Sequence, residues 1–209
     1  MSAREFIESI KQGSKKYLRF GQLTDNEREL ISDLNNDWLA KMRRTFFGVN
    51  YLTFVGGGGR KTPIHAGISA LFFVMAEGEK KWTFFSPSSS ALVNPRRAGR
   101  DYNFSDVNIN DPDPSKYPGF ELLTRYEVTL KKGDVLWLPT WWWHEVDTLS
   151  DSWAIRYGFG NFRTFLRYPS FVFVRVFLCQ PSFFKILFHK VFLRTGKKPS
   201  TVHNQVFTD

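Results

Sequence analysis

TPIHAGISALFFVMAEGEKKWTFFSP, residues 62–87, decides the architecture. Its central run, ALFFVMA (70–76), is apolar throughout, stops at Glu77-Gly78-Glu79-Lys80 and resumes as KWTFF (81–85), a pattern that reads as a buried β-hairpin. Upstream, YLTFV (51–55) reads as a strand and Gly56–Gly59 as a tight or flexible turn. That turn has neither GK[ST] after it nor G-x-G-x-x-G spacing, which argues against a phosphate cradle; the expectation is that it lets a loop pass close to the site. Downstream, residues 86–117 are polar and rich in Pro and Asn, and read as a long excursion, either a lid or a plain surface loop. YEVTL (126–130), the turn Lys131-Lys132-Gly133-Asp134, VLWLP (135–139) and a strand over 153–159 follow, with Asp134 capping its turn. Strands joined by turns, with no crossover helix between them, predict an antiparallel sandwich or barrel.

Outside this β region, Thr24-Asp25-Asn26-Glu27 is a capping box, followed by Leu30, Ile31, Leu34, Trp38, Leu39 and Met42 at helical spacing. An amphipathic helix packed on the barrel is expected over 24–44. YPSFVFVRVFL (168–178) and QPSFFKILFHKVFLR (180–194) each carry an early proline, which suits a helix start, although the β-branched residues of the first also permit a strand. Beyond Arg194 there is no apolar periodicity, and a loose end is expected. The predicted organisation is a barrel with N-terminal helical decoration over 1–160 and a helical extension over 161–209.

At 209 residues, 42% of them hydrophobic and 22 of them Phe, the composition is that of an aromatic-rich globular domain rather than a disordered chain. The net charge of +9 is concentrated: residues 161–209 hold eight Lys/Arg against the single acid Asp209, which leaves +7 there and +2 elsewhere. A basic amphipathic tail of this kind fits a homodimer contact or a membrane surface. Nucleic acid is disfavoured, since no reading module accompanies the charge. The lone Cys179 forms no internal disulfide, and the first seventeen residues have no apolar run, so a cytoplasmic protein is expected.

Of the four histidines, His65 follows Thr62-Pro63-Ile64 at the mouth of a strand, and His144 follows Trp141-Trp142-Trp143 after the strand opened by Gly133-Asp134. Imidazole suits iron, zinc, copper and nickel, and non-haem iron(II) sites commonly use two histidines and one carboxylate. The stretch 62–87 resembles the first metal-binding motif of the cupin-like JmjC hydroxylases, and GDVLWLPTWWWHEV (133–146) resembles the second. The resemblance covers about residues 51–159. It implies a mainly β, double-stranded β-helix fold (a cupin or jelly-roll barrel) with an N-terminal helix and C-terminal helical segments. It also implies an iron(II)/2-oxoglutarate site with His65 and His144 as metal ligands. Lys80 would pair with the distal carboxylate of 2-oxoglutarate, and Thr62 and Tyr51 would add hydroxyl hydrogen bonds to it.

One departure from the family pattern matters most: its carboxylate ligand lies two residues after the first histidine, and here that residue is Gly67. Three readings follow. An external anion, chloride, fills the position, as in the iron halogenases this substitution resembles; iron(II), two neutral imidazoles and 2-oxoglutarate sum to zero charge, so chloride supplies what an aspartate would have given. Alternatively, water or another carboxylate completes the site of a hydroxylase, although Glu145, next to His144, faces the other side of its strand unless a bulge intervenes. In the third, metal binding is lost and an inactive pocket recognises a ligand, on a module that the basic tail allows to be membrane-peripheral. Arg156 shares a strand face with Ala154 and Gly158 and is a second candidate for the 2-oxoglutarate carboxylate, or for a substrate's. Trp141–Trp143 line a substrate entrance or pack the core. The substrate is expected to be a small molecule or a peptide.

Overall fold

The computed structural model describes residues 3–14, 16–21, 37, 47–96, 103–160, 166–173, 177 and 205–207. Among these residues ten strands lie in two antiparallel sheets. The larger runs β10-β1-β2-β9-β4-β7, built from β1 (Tyr17–Gly21), β2 (Phe47–Gly56), β4 (Ala70–Glu77), β7 (Val135–Leu138), β9 (Ser152–Gly160) and β10 (Gln205–Phe207). The smaller runs β3-β8-β5-β6, from β3 (Arg60–Ala66), β5 (Lys80–Phe85), β6 (Tyr126–Leu130) and β8 (Trp143–Thr148). From β2 to β9 almost every connection crosses from one sheet to the other, the winding of a double-stranded β-helix, as the family resemblance implies.

Strand alternation sorts each strand's side chains between the interior and an outer face. Leu71, Phe73 and Met75 of β4, Phe54 of β2, Ala154 of β9, Leu138 of β7, Trp82 and Phe84 of β5, Leu130 of β6 and Val146 of β8 meet between the sheets as the main core. The excursion after β5 packs on the outer face of the smaller sheet: Val93, Val107, Ile109 and Phe120 cover Ile64, Ala66, Phe85, Trp141 and Trp143. Trp141 and Trp143 are therefore buried packing residues, and Trp143 Nε1 donates to Ser90 Oγ at 2.8 Å. Of the three tryptophans, Trp142 alone packs against the inner core. Asp134 caps its turn as expected, accepting from the Lys131 amide at 2.7 Å.

The hairpin expected over 70–85 does not form. β4 pairs with β7 and β9, whereas β5 pairs with β6 and β8, so the Gly78-Glu79 link is a corner between sheets. A short turn between two apolar runs is common to hairpins and to such corners, and tertiary contacts decide between them. Here the Glu79 amide donates to Ser150 Oγ (2.9 Å) and the Leu149 amide to the Glu79 carbonyl (2.9 Å), which ties this corner to the β8–β9 corner.

The expected helix over 24–44 lies outside the described residues apart from Asp37, as does the segment 180–194. The first residues instead form α1 (Ala3–Lys11), which buries Phe6 and Ile10, one turn apart on one face. The first proline of the tail opens a short helix, α2 (Pro169–Phe173). The expected loose end contains β10, which pairs with the edge strand β1 through backbone groups, an interaction that needs no apolar periodicity.

Gly78 has φ +79, and a Cβ there would lie 2.0 Å from the Asp151 carbonyl oxygen and 2.8 Å from Ser152 Cα. Gly78→Ala is expected to destabilise the fold by about 2–4 kcal/mol, through left-handed strain plus a backbone clash. Urea unfolding of the variant checks this, and a change under about 0.5 kcal/mol, the usual effect of a surface substitution, would contradict the corner's role.

Candidate metal centre

β3 and β8 are neighbours, and their ladder sets His65 directly opposite His144 and Ala66 opposite Trp143. Further along, Thr62 is opposite Val146, so three steps on β3 match two on β8: β3 carries one extra residue, a β-bulge. Without it, residues 62 and 65 would face opposite ways. With it, Thr62 and His65 both take the inward face of His144 and Val146. The imidazole centroids are 4.1 Å apart with the rings inclined at 52°.

The tautomers are set by the backbone. His65 Nδ1 lies 2.9 Å from the Pro63 carbonyl oxygen and His144 Nδ1 3.0 Å from that of Trp142. A carbonyl only accepts, so each Nδ1 carries a proton and, in the neutral ring, Nε2 holds the lone pair, as in metal-binding histidines oriented by a backbone carbonyl. An imidazole nitrogen binds a divalent ion at about 2.1 Å, so two rings sharing one ion must come within a few ångströms of each other, as these do. The two segments are pinned together by the Trp141 amide, which donates to the Gly67 carbonyl at 2.9 Å. Trp141 adopts φ +69, unusual for so bulky a residue, as the chain turns into β8. His65 is also stacked on Phe104 at 5.2 Å and 14°, because residues 103–105 add to the edge of β3.

At the other end of the interior sits Lys80, opposite Thr148 on β8 and 0% exposed. Its ammonium donates to Thr148 Oγ1 at 2.8 Å and lies 5.0 Å from the centre of the Tyr17 ring. Burial pushes its pKa down to about 7. Thr148 was not anticipated, yet it was legible: four residues after His144 on one strand, it shares the histidine's face. That separation is about 13 Å at 3.3 Å per residue, which a lysine side chain and a five-carbon diacid chelating a metal at the histidines would together span. The donor set thus suits such a guest.

The remaining predicted residues divide. Arg156 is inward-facing, opposite Leu52 and Phe73, and its guanidinium donates to Ser69 Oγ, two residues from Gly67. Tyr51 must be corrected. It lies on the outer face of the larger sheet, edge-on to Tyr157 at 5.1 Å and with Phe72 and Phe159, while Leu52 and Phe54 take the inner face. Glu145 points away from the histidines, to Lys61 Nζ at 2.9 Å, and burial raises its carboxyl above the ordinary range despite that partner. Among the described residues no three His, Cys, Asp or Glu side chains are grouped to hold a metal.

The family model for a cupin-like domain matches residues 1–165. The chain is 35% identical to HSPB1-associated protein 1 of Rattus norvegicus over 101 residues, 46% of this chain and 21% of the relative. It is 26% identical to lysine-specific demethylase 8 of Danio rerio over 162 residues (75% and 40%). It is 33% identical to JmjC domain-containing protein D of Dictyostelium discoideum over 103 residues (49% and 23%). The chain thus spans between about a fifth and two fifths of the length of these relatives.

The buried lysine makes stability depend on pH. Its folded pKa of about 7 lies below the unfolded value, so between the two the unfolded chain binds more protons and stability rises with pH. The burden of the buried charge is complete below pH 7 and gone above the unfolded value of about 10.4. Wild type is therefore expected to gain melting temperature relative to Lys80→Met as pH is raised from about 7 to about 10. Parallel melting profiles for the two proteins would contradict the burial of a titrating ammonium.

Proposed function

We propose that this chain, which belongs to the cupin-like domain family, is an iron(II)- and 2-oxoglutarate-dependent oxygenase-type enzyme whose two-histidine centre takes chloride where a protein carboxylate usually binds. The observation that carries the reading is the missing side chain at Gly67, two residues after His65. Among the described residues a Cβ there would meet nothing nearer than the Ser69 carbonyl oxygen, at 3.7 Å, an ordinary contact, so the backbone does not crowd the position from which a carboxylate would reach the histidines. Arg156 supports the charge assignment, since its bond to Ser69 brings a guanidinium to the turn that carries Gly67.

The chain's own groups would act as follows. His65 and His144 offer Nε2 from rings that the Pro63 and Trp142 carbonyls hold in orientation. Lys80 and Thr148 receive the distal carboxylate at the closed end, with Thr62 on the same inner face. Trp82, Phe84 and Phe73 wall the interior against water. Bound there, iron with its cosubstrate would supply dioxygen activation, so that substrate C–H, chloride and one proton from solvent would become C–Cl while 2-oxoglutarate and dioxygen become succinate, carbon dioxide and water. Tyr126, half exposed and 6.0 Å from Trp142, marks the rim near His144 by which a small molecule or peptide would approach.

Hydroxylation, with water instead of chloride, is the second reading, and the family relationship favours it. A binding-only module is the third, supported by the lack of a third protein donor among the described residues.

Iron(II) and 2-oxoglutarate added without oxygen are expected to give a visible charge-transfer band that shifts on chloride titration. Gly67→Asp, which the backbone does not crowd, should keep the band and lose the chloride response. A band indifferent to chloride in wild type would favour hydroxylation, and no band at all would favour the binding module.

A further inference from the structure

Trp82 is 3% exposed, and its indole Nε1 is a buried donor with no hydrogen-bond partner among the described residues. A buried polar group left unmatched costs about 1–3 kcal/mol, so each instance needs a reason. Its position is informative. Trp82 stands on the inner face of β5 between Lys80 and Phe84, opposite Val146 on β8, and its ring stacks on that of His144 at 5.4 Å and 25°. Two residues away, the Lys80 ammonium has three N–H donors and, among the described residues, a single hydrogen-bond acceptor, Thr148 Oγ1. Among the described residues the protein thus leaves both donors on the inner face of β5 short of partners, an arrangement that suits a guest bearing a carboxylate.

We infer that Trp82 Nε1 is a second donor, beside Lys80, to the distal carboxylate of the dicarboxylate that binds in this interior. The assignment rests on the proposed 2-oxoglutarate site and adds to it a residue that specifies a diacid over a monoacid. The competing acceptor is the face of Phe73, whose ring meets that of Trp82 at 4.8 Å and 71°. An N–H···π contact is weaker than a charge-assisted bond, so a carboxylate within reach displaces it.

The test follows the indole N–H resonances of the zinc(II)-loaded protein, which does not turn over, by nitrogen-15 correlation spectra during titration with 2-oxoglutarate and, separately, with 2-oxobutyrate, which lacks the distal carboxylate. Trp82 is identified by its loss in Trp82→Phe, or by through-space contacts to Phe73 if that variant does not fold. Its resonance is expected to move downfield with 2-oxoglutarate and to move little with 2-oxobutyrate. Trp82→Phe should bind 2-oxoglutarate roughly tenfold more weakly, about 1.4 kcal/mol, with 2-oxobutyrate affinity unchanged. Equal shifts with both acids, or no shift while other resonances report binding, would overturn the assignment and leave the cosubstrate site intact. A titration that perturbs no resonance would overturn both.

Discussion

His65 faces His144 because β3 contains one residue more than its partner strand between Thr62 and the histidine. Strand side chains alternate, so an insertion of one residue exchanges the two faces for everything beyond it. In a regular β3 either Thr62 or His65 would point outward, into the layer formed by Ile64, Ala66 and Trp143. The bulge keeps both inside. The rest of the arrangement then follows from regular pairing on β8 and β5: His144, Val146 and Thr148 alternate inward, as do Phe84, Trp82 and Lys80 across the ladder. A histidine end and a cation end are thereby set at opposite ends of one interior.

The electrostatics of that interior are unbalanced in the absence of a guest. Lys80 is an ammonium in an apolar surround, hydrogen-bonded to a neutral hydroxyl and, among the described residues, with no carboxylate beside it, which is why burial depresses its pKa. The acids near the histidines in sequence do not relieve this, because Glu145 and Asp147 take the outer face, where Lys61 pairs with both. Burying a lone cation costs stability, and an anion that enters recovers that cost as affinity. The same reasoning applies at Gly67, where the chain carries no carboxylate and Arg156, bonded to Ser69, brings a guanidinium to the turn.

Much of this was legible in the sequence, and the failures have physical causes. The strands and the Asp134 turn follow from local chemistry, whereas His65, His144 and Lys80 were singled out by the resemblance of their motifs to those of the cupin-like JmjC hydroxylases; the register puts all three on the inner face. The inward direction of Arg156 follows from alternation along β9. Tyr51 failed for the same reason that Arg156 succeeded: on β2 the inner face belongs to Leu52 and Phe54, and the strand's parity could not be fixed without knowing what it pairs with. The expected hairpin over 70–85 failed because the partner of each half lies more than forty residues downstream, in β6 to β9. Phe104 on His65 had no local signal, since it arrives from a long excursion by an isolated backbone bridge. The bulge in β3 was likewise hidden, although Thr62-Pro63-Ile64 contains a proline, a residue that bulges and edge strands tolerate.

All of the chemistry depends on two imidazoles sharing one ion, and X-ray absorption at the iron edge of the iron(II)-loaded protein tests this most directly. The fine structure should require two imidazole ligands in wild type and one in His65→Ala. A bound iron with no imidazole scattering, or a spectrum that His65→Ala and His144→Ala both leave unchanged, would contradict the account.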